Sequence, residues 1–404
     1  MQSDIVMRKN AVKTSLGGFL SFWIVFFLLK PPIWNYIRYG DLFFRGGWFL
    51  SLFFVLCICL VRKCRVSFIT VLVLGYSVWT VITAALREPV SAFLLMQCGS
   101  FLLFSLLFDS YAGNLRPVIS ALMVNFELLI YTNFVVLLIG RDHVEQMSGY
   151  ELSSILGGKN GLILYCLPAC CIAVAYYEFT RKKMRCGLLI AVACATCFLV
   201  WSATAVCGIV IFLLLLLWRG KKHALTFRTV FIVSMIAQVI IQSFQYLKPL
   251  PIISSLIVNV LGKDVTFSQR TYVWAAAWHL VAGNPFFGCG YGVTFFAPVG
   301  RTGFYAFHAH NQFLQQLLIG GVPQLLLYLF LNCRAGATLD KMPAGSLRKN
   351  LLAVFGGLYT IFLAESYFSV VLFLIFFVAF HSKQIAEEAE PHSGAAMEVE
   401  ARPK

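Results

Sequence analysis

The sequence predicts an all-α, polytopic membrane protein of about twelve transmembrane helices, with one long extracytoplasmic loop that contains a short amphipathic helix. Three observations carry this. Only 12% of the 404 residues are charged, where a soluble chain would carry about 25%. Apolar residues make up 60% of the chain, and they recur in runs of about 20, enough to cross a bilayer as a helix. The basic residues also fall on alternate sides of these runs, as below.

The first 13 residues are polar and basic (Arg8, Lys9, Lys13). No A-x-A-like cleavage site follows them, so the next run is expected to be a retained span and not a signal peptide. Spans are predicted at 15–30, 47–61, 66–86, 89–108, 117–140, 161–177, 187–201, 203–218, 229–247, 312–332, 350–364 and 366–381. Two divisions rest on length. Residues 187–218 are interrupted only by Ser202-Ala203-Thr204, and residues 350–381 only by Glu365. One helix of about 32 residues would rise about 48 Å against a core of roughly 30 Å, so each is expected to be a helical hairpin. Residues 1–381 thus form one transmembrane domain, with a long loop at 248–311. The charged tail, 382–404, is expected to be cytoplasmic and disordered.

With the N-terminus inside, 22 of the 32 Lys and Arg residues lie in cytoplasmic segments and 10 on the other side. This obeys the positive-inside rule and places the 248–311 loop outside. The net charge of +15 is explained this way, without nucleic acid as a partner. Most of the 13 cysteines lie within apolar runs, as small buried hydrophobes.

The stretch Thr266–Gly321 gathers the polar groups. Residues 266–283 read as an amphipathic helix with Arg270, Trp274, Trp278 and Val281 on one face. Two Trp on that face suit a membrane interface. Arg270 in the first turn, beside free N–H groups, makes a seat for an anion, or else a snorkelling interfacial cation. Asn284-Pro285 and Gly288-Cys289-Gly290-Tyr291-Gly292 follow. No strand precedes these glycines, so they signify a tight turn and not a dinucleotide site. Phe295, Phe296, Arg301, Tyr305 and Phe307 come next, lining a sugar cleft or forming an interfacial belt.

His308-Ala309-His310-Asn311 opens the following span. Asn311 is a good N-cap. His310 then lies at a helix N-terminus, where the dipole favours the neutral imidazole, the form that accepts a proton. No Cys, Asp or Glu lies near His308 and His310 in the chain to complete a metal set, so neither metal nor cofactor is expected. Glu365 is the one acid in its apolar stretch, and such a charge faces a cavity or a partner. It is a second-tier site residue or an interhelical tie. Lys159, in Gly157-Gly158-Lys159-Asn160, joins the same anionic pocket or marks the interface.

These residues resemble the O-antigen ligase and polysaccharide polymerase superfamily. The likeness is R-x₃-W…NP-x₂-G-x-G-x-G…H-x-HN-x₂-L-x₂-L…G, carried here by Arg270, Trp274, Asn284-Pro285, Gly288, Gly290, Gly292, His308, His310, Asn311, Leu314, Leu317 and Gly320. Members often have Gly before the Arg, where this chain has Gln269. The resemblance implies a GT-C-like helical glycosyltransferase of the bacterial inner membrane that uses undecaprenyl-diphosphate-linked glycans on the extracytoplasmic face without a metal. It also implies a flippase and a chain-length regulator as partners besides the lipid bilayer. Carried over, Arg270 binds the diphosphate and His310 orients or deprotonates the acceptor hydroxyl. Arg301 is a candidate second diphosphate ligand, with His308, Asn311, Trp274, Tyr291, Lys159 and Glu365 as further substrate-site candidates.

The residues alone lead to the same chemistry. Transfer from a lipid diphosphate needs an anion clamp and a base. Two nearby carboxylates, the mark of retaining glycosidases, are absent from the loop, which offers only Asp264. A single inverting displacement is therefore expected. A polymerase of repeat units is the first reading, and a ligase that moves a finished glycan to lipid A core or another acceptor is the second. A lipid-linked sugar transporter would show related halves with broken helices and midplane charges, which are not evident.

Overall fold

Hydrophobic runs of the expected lengths become helices throughout. The computed structural model describes residues 17–149, 151–218, 225–243, 269–299 and 301–389, with single positions 255 and 259. Each predicted span coincides with one helix: α1 (Gly17–Leu28), α2 (Gly40–Arg62), α3 (Phe68–Ala85), α4 (Ala92–Ser110), α5 (Arg116–Ile139), α7 (Ile163–Thr180), α8 (Lys183–Val200), α9 (Ala203–Leu217), α10 (Phe227–Ser243), α12 (Gln312–Lys341), α13 (Ser346–Phe362) and α14 (Val370–Phe380). Between them lie a short α6 (Arg141–Met147) and α11 (Arg270–Gly283). Seven of these helices are long and apolar enough by length and composition to cross a membrane, eight if the bent pair formed by α14 and the helix after it counts as one span. The protein is an all-α, multi-pass membrane protein.

Both doubtful stretches divide as length predicted. Residues 187–218 break at Trp201, whose φ of 52° lies in the left-handed region, and Ser202 starts α9. Residues 350–381 break over 363–369, which is non-helical. Neither pair closes as a simple hairpin, however. The chief partner of α9 is α13, while α14 packs between α12 and α7. With 11 residues, α14 rises only about 16 Å, half the bilayer core. The tail differs from the expected disorder at its start, since α15 covers Ser382–Ala389. Residues 390–404 lie outside the described residues.

One main apolar core runs through the helices, with buried Phe101, Phe104, Phe126, Phe355, Phe373 and Phe376. A second core lies apart from it and joins α11, the first turns of α12 and a β-hairpin of β1 (Phe295–Val299) and β2 (Thr302–Ala306). That antiparallel hairpin was not foreseen from the sequence. Its inner face is Phe295, Ala297 and Ala306, all buried, while Phe296 and Tyr305 pair across the outer face.

Within α12 the chain leaves helical geometry at Gly320 and Gly321, the latter with φ 66° and ψ −161°. The carbonyls this frees are met from outside the helix. Cys289 N–H donates to Leu318 O at 2.7 Å, Gly290 N–H to Ile319 O at 3.1 Å, and Trp79 Nε1 to Gly320 O at 2.8 Å. A Cβ at Gly288 would lie 2.7 Å from Leu318 O, and one at Gly321 2.2 Å from Phe286 O. The glycine-rich turn is therefore a plug for a broken helix, where buried backbone must find protein partners.

Candidate active site

The non-helical segment 363–369 is the meeting point of the polar groups. Glu365 sits within it and is 2% exposed. Arg270 Nη2 donates to Glu365 Oε1. On the other carboxylate oxygen, Oε2 lies 3.3 Å from His310 Nδ1. One carboxylate thus holds both residues expected to take the leading roles. Arg270 and His310 keep 16% and 29% of their side chains exposed, so each still offers a face to a bound molecule.

The backbone that presents these groups is constrained. His310 has φ 48° and Gln269, just before Arg270, has φ 68°. Both are left-handed, a conformation uncommon outside glycine and one that collects at functional sites. Asn311 caps α12 as predicted, accepting from Leu314 N–H at 3.1 Å. Its Nδ2 donates to Gln238 Oε1 at 2.6 Å and to Leu363 O at 3.2 Å. Gln312 brackets Tyr367, accepting its N–H at 2.7 Å and donating to its carbonyl at 3.1 Å. Gln315 Oε1 takes Ala309 N–H at 2.6 Å. The first turn of α12 thereby fastens the histidine loop to the Glu365 segment.

His308 packs edge-on to His310, with ring centroids 4.0 Å apart. Its Nδ1 is buried without a hydrogen-bond partner among the described residues. Burial, then the nearby His310 and Arg270, pushes its pKa down to about 4, so it stays neutral near pH 7 and adds no charge beside His310. Tyr291 packs on Phe368 at 5.0 Å. Burial pushes its hydroxyl up to about 12, leaving it a protonated donor and not a base. Lys159 is exposed at the rim, next to Asn160, whose carbonyl accepts the Tyr367 hydroxyl at 2.5 Å.

Other predicted site residues lie elsewhere. Trp274 is fully buried in the second core with Val273, Ala277 and Val281. It is neither an interfacial anchor nor placed to touch a substrate, because the apolar face of α11 packs on the β-hairpin and α12. Trp278 is turned toward α10 and donates to Gln242 Oε1 at 3.1 Å. Arg301 is exposed at the hairpin tip, beyond the Val299–Thr302 pair. The loop residue Asp264 lies outside the described residues.

Sequence reasoning missed Arg87. Its Nη2 donates to Asn284 Oδ1 at 2.6 Å and Gly288 O at 2.8 Å, clamping the turn after α11. Among the described residues, no three His, Cys, Asp or Glu side chains are grouped to hold a metal ion.

Residues 163–329 match the family Wzy_C, described as O-Antigen ligase. The match takes in Arg270, His308, His310 and Asn311 and ends before Glu365. No curated protein matches the chain.

Proposed function

Taking the O-antigen ligase domain over residues 163–329 as premise, we propose that this protein is an inverting membrane glycosyltransferase that polymerises glycan repeat units carried on undecaprenyl diphosphate. The site faces the extracytoplasmic side of the inner membrane, with both termini cytoplasmic. The observation that carries the reading is the shared carboxylate, Glu365, which joins Arg270 to His310.

Each residue has a distinct task. Arg270 binds the diphosphate of the donor, and a guanidinium suits two phosphate oxygens at once. His310 donates through Nδ1 to Glu365, which leaves Nε2 unprotonated and turned to the acceptor. The acceptor hydroxyl gives its proton to Nε2 as its oxygen bonds to the anomeric carbon. The bond from that carbon to the diphosphate oxygen breaks, and the electron pair leaves on the diphosphate held by Arg270. Glu365 balances the imidazolium that forms, the task of the buried carboxylate in a Ser-His-Asp triad. It is already engaged at both oxygens, which supports a single displacement over a covalent glycosyl-enzyme.

A ligase that hands a finished glycan to lipid A core or another acceptor uses the same groups. The test is glycan size on gels from cells lacking the protein, complemented with wild type, Arg270→Ala or His310→Ala at matched expression. Single repeat units on their normal final carrier are the expected result for a polymerase. Full-length chains stranded on undecaprenyl diphosphate would establish the ligase. Unchanged glycan with both variants would overturn the site.

A further inference from the structure

The β-hairpin turns an open aromatic face outward. Phe296 and Pro298 of β1 and Gly303 and Tyr305 of β2 make up this face, and all four are exposed. Phe307 follows Tyr305 by two residues, which keeps it on the same side. It is 72% exposed, with Tyr305 at 67% and Phe296 at 49%. The inner row, Phe295, Ala297 and Ala306, supplies the hairpin's share of the second core. The outer rings are left over from that packing.

These rings form a surface. Phe296 is laid across the sheet onto Gly303, where an added Cβ would lie 2.3 Å from Phe296 Cζ and 2.6 Å from Ala297 O. Only glycine leaves that space. Tyr305 meets Phe296 edge-on, with ring centroids 5.6 Å apart. Phe307 extends the patch toward His310, which lies three residues further along the chain. Hydrogen-bonding groups accompany the rings: the Tyr305 hydroxyl itself, and the exposed side chains of Arg301 and Thr302 at the tip.

We propose that this outer face is a glycan platform, on which sugar rings of the substrate chain stack over Phe296, Tyr305 and Phe307 beside the candidate base. A pyranose has a face of C–H groups and a rim of hydroxyls. The face suits an aromatic ring, and the rim suits the donors around it. A hairpin dipping into the lipid leaflet would lead with apolar residues, because an unpaired cation is costly there. Here the tip is Arg301-Thr302. The strand also runs directly into the loop of His310, so a chain stacked on the platform is held next to the site. Contacts to sugars away from the reacting atoms supply binding energy without joining the bond change. The choice of a glycan as occupant rests on the transferase reading above.

The test reads binding without catalysis. Glycan is released from its lipid by mild acid, from cells that make it, and sized into single repeats and longer fragments. The full-length protein in phosphatidylcholine nanodiscs is titrated with each, and binding is followed by saturation-transfer NMR. Longer fragments should bind more tightly than single repeats, to the wild type and to His310→Ala alike. Phe296→Ala and Tyr305→Ala should each weaken that binding about tenfold, at unchanged Tm, since both rings face away from the core. Tyr305→Phe, which keeps the ring, should stay within about threefold of wild type. Equal affinity in the wild type and both alanine variants would overturn the platform, as would no glycan binding by the wild type. So would emission of Tyr305→Trp quenched by acyl-brominated lipids beyond the wild-type level, which would place the face in the leaflet. None of these results touches the transferase reading, which falls only if Arg270→Ala and His310→Ala leave the cellular glycan unchanged.

Discussion

The helix α14 separates two carboxylate–histidine pairs, and only one of them has the open ring that the proposed chemistry needs. Before its first turn lies Glu365 with His310, and just past its last turn lies His381, with Nε2 3.6 Å from Asp109 Oδ1. The second pair is sealed. His381 and Asp109 are 3% and 1% exposed, and His381 Nδ1 is occupied by Gln384 Oε1 at 2.8 Å. Asp109 Oδ2 accepts from Ser67 N–H at 2.8 Å and Thr70 Oγ1 at 2.7 Å, which ties off the start of α3. The first pair leaves His310 29% exposed and places a cation beside it. The contrast teaches that a carboxylate–histidine contact is no marker of a site by itself. An open ring face and a nearby anion clamp are what distinguish one.

The largest test of that contrast is to truncate each histidine. His310→Ala should cut glycan transfer by about 10²–10⁴-fold, the usual contribution of a general base, with little change in Tm. His381→Ala should do the reverse, lowering stability by about 2–4 kcal/mol through the cavity left beside Phe108 and Phe380. Its rate per folded molecule should stay near wild type. A His381→Ala protein that folds normally and fails to transfer would erase the distinction.

The carboxylates sharpen it further. Glu365→Gln keeps the shape but removes the charge that faces His310 and Arg270. A loss of up to about 10⁴-fold in kcat is expected, as for the triad carboxylate whose task it shares. KM for the lipid-linked donor should not rise, since Arg270 is released toward the diphosphate. Asp109→Asn should leave both constants alone and lower Tm. A raised KM with unchanged kcat in Glu365→Gln would instead make Glu365 part of the donor pocket.

What the sequence disclosed follows from this geometry. Helix positions were legible from the apolar runs, although only seven or eight of the twelve reach the length and apolarity that a bilayer needs. The break at 363–369 was legible because 32 apolar residues overrun the bilayer thickness. Arg270, His310 and Asn311 stood out as polar groups in one stretch between apolar runs. The role of Glu365 was not legible, because the segment it meets lies about 55 positions earlier and nothing local encodes that contact. The hairpin was hidden by an inverted pattern: Ala297 and Ala306 point in, while Phe296 and Tyr305 point out. Outward aromatics read as an interfacial belt. Trp274 failed for a related reason, since its face of α11 meets a second core and not lipid.

Within the open site, His308 gives a smaller effect with a defined sign. Its pKa is about 4 when folded and about 6.5 when unfolded. Between those values the unfolded chain binds the extra proton, so stability is lost as pH falls from about 6.5 to 4 and the loss levels off below. Roughly 1–3 kcal/mol is at stake. A Tm series across this range should slope downward toward acid in the wild type and run flatter in His308→Gln. Parallel slopes would mean that the ring is solvated and not desolvated against His310.

The smallest effect concerns Gln269, and it joins sequence to geometry. The family pattern often has glycine before the arginine, and this chain departs from it. The structure supplies the reason for the glycine: position 269 has φ 68° and ψ 8°, the left-handed region where a Cβ costs roughly 1 kcal/mol. Glutamine holds that conformation here. Gln269→Gly relieves the strain, so stability should change by less than about 1 kcal/mol. Transfer activity should persist, because the turn that delivers Arg270 to Glu365 is kept. Gln269→Val is the sharper half of the pair. A β-branched residue resists positive φ, so it should displace Arg270 and reduce transfer with little loss of fold. If Val and Gly behave alike, the left-handed turn is not what aims Arg270 at the carboxylate, and the open site owes its geometry to the Glu365 segment alone.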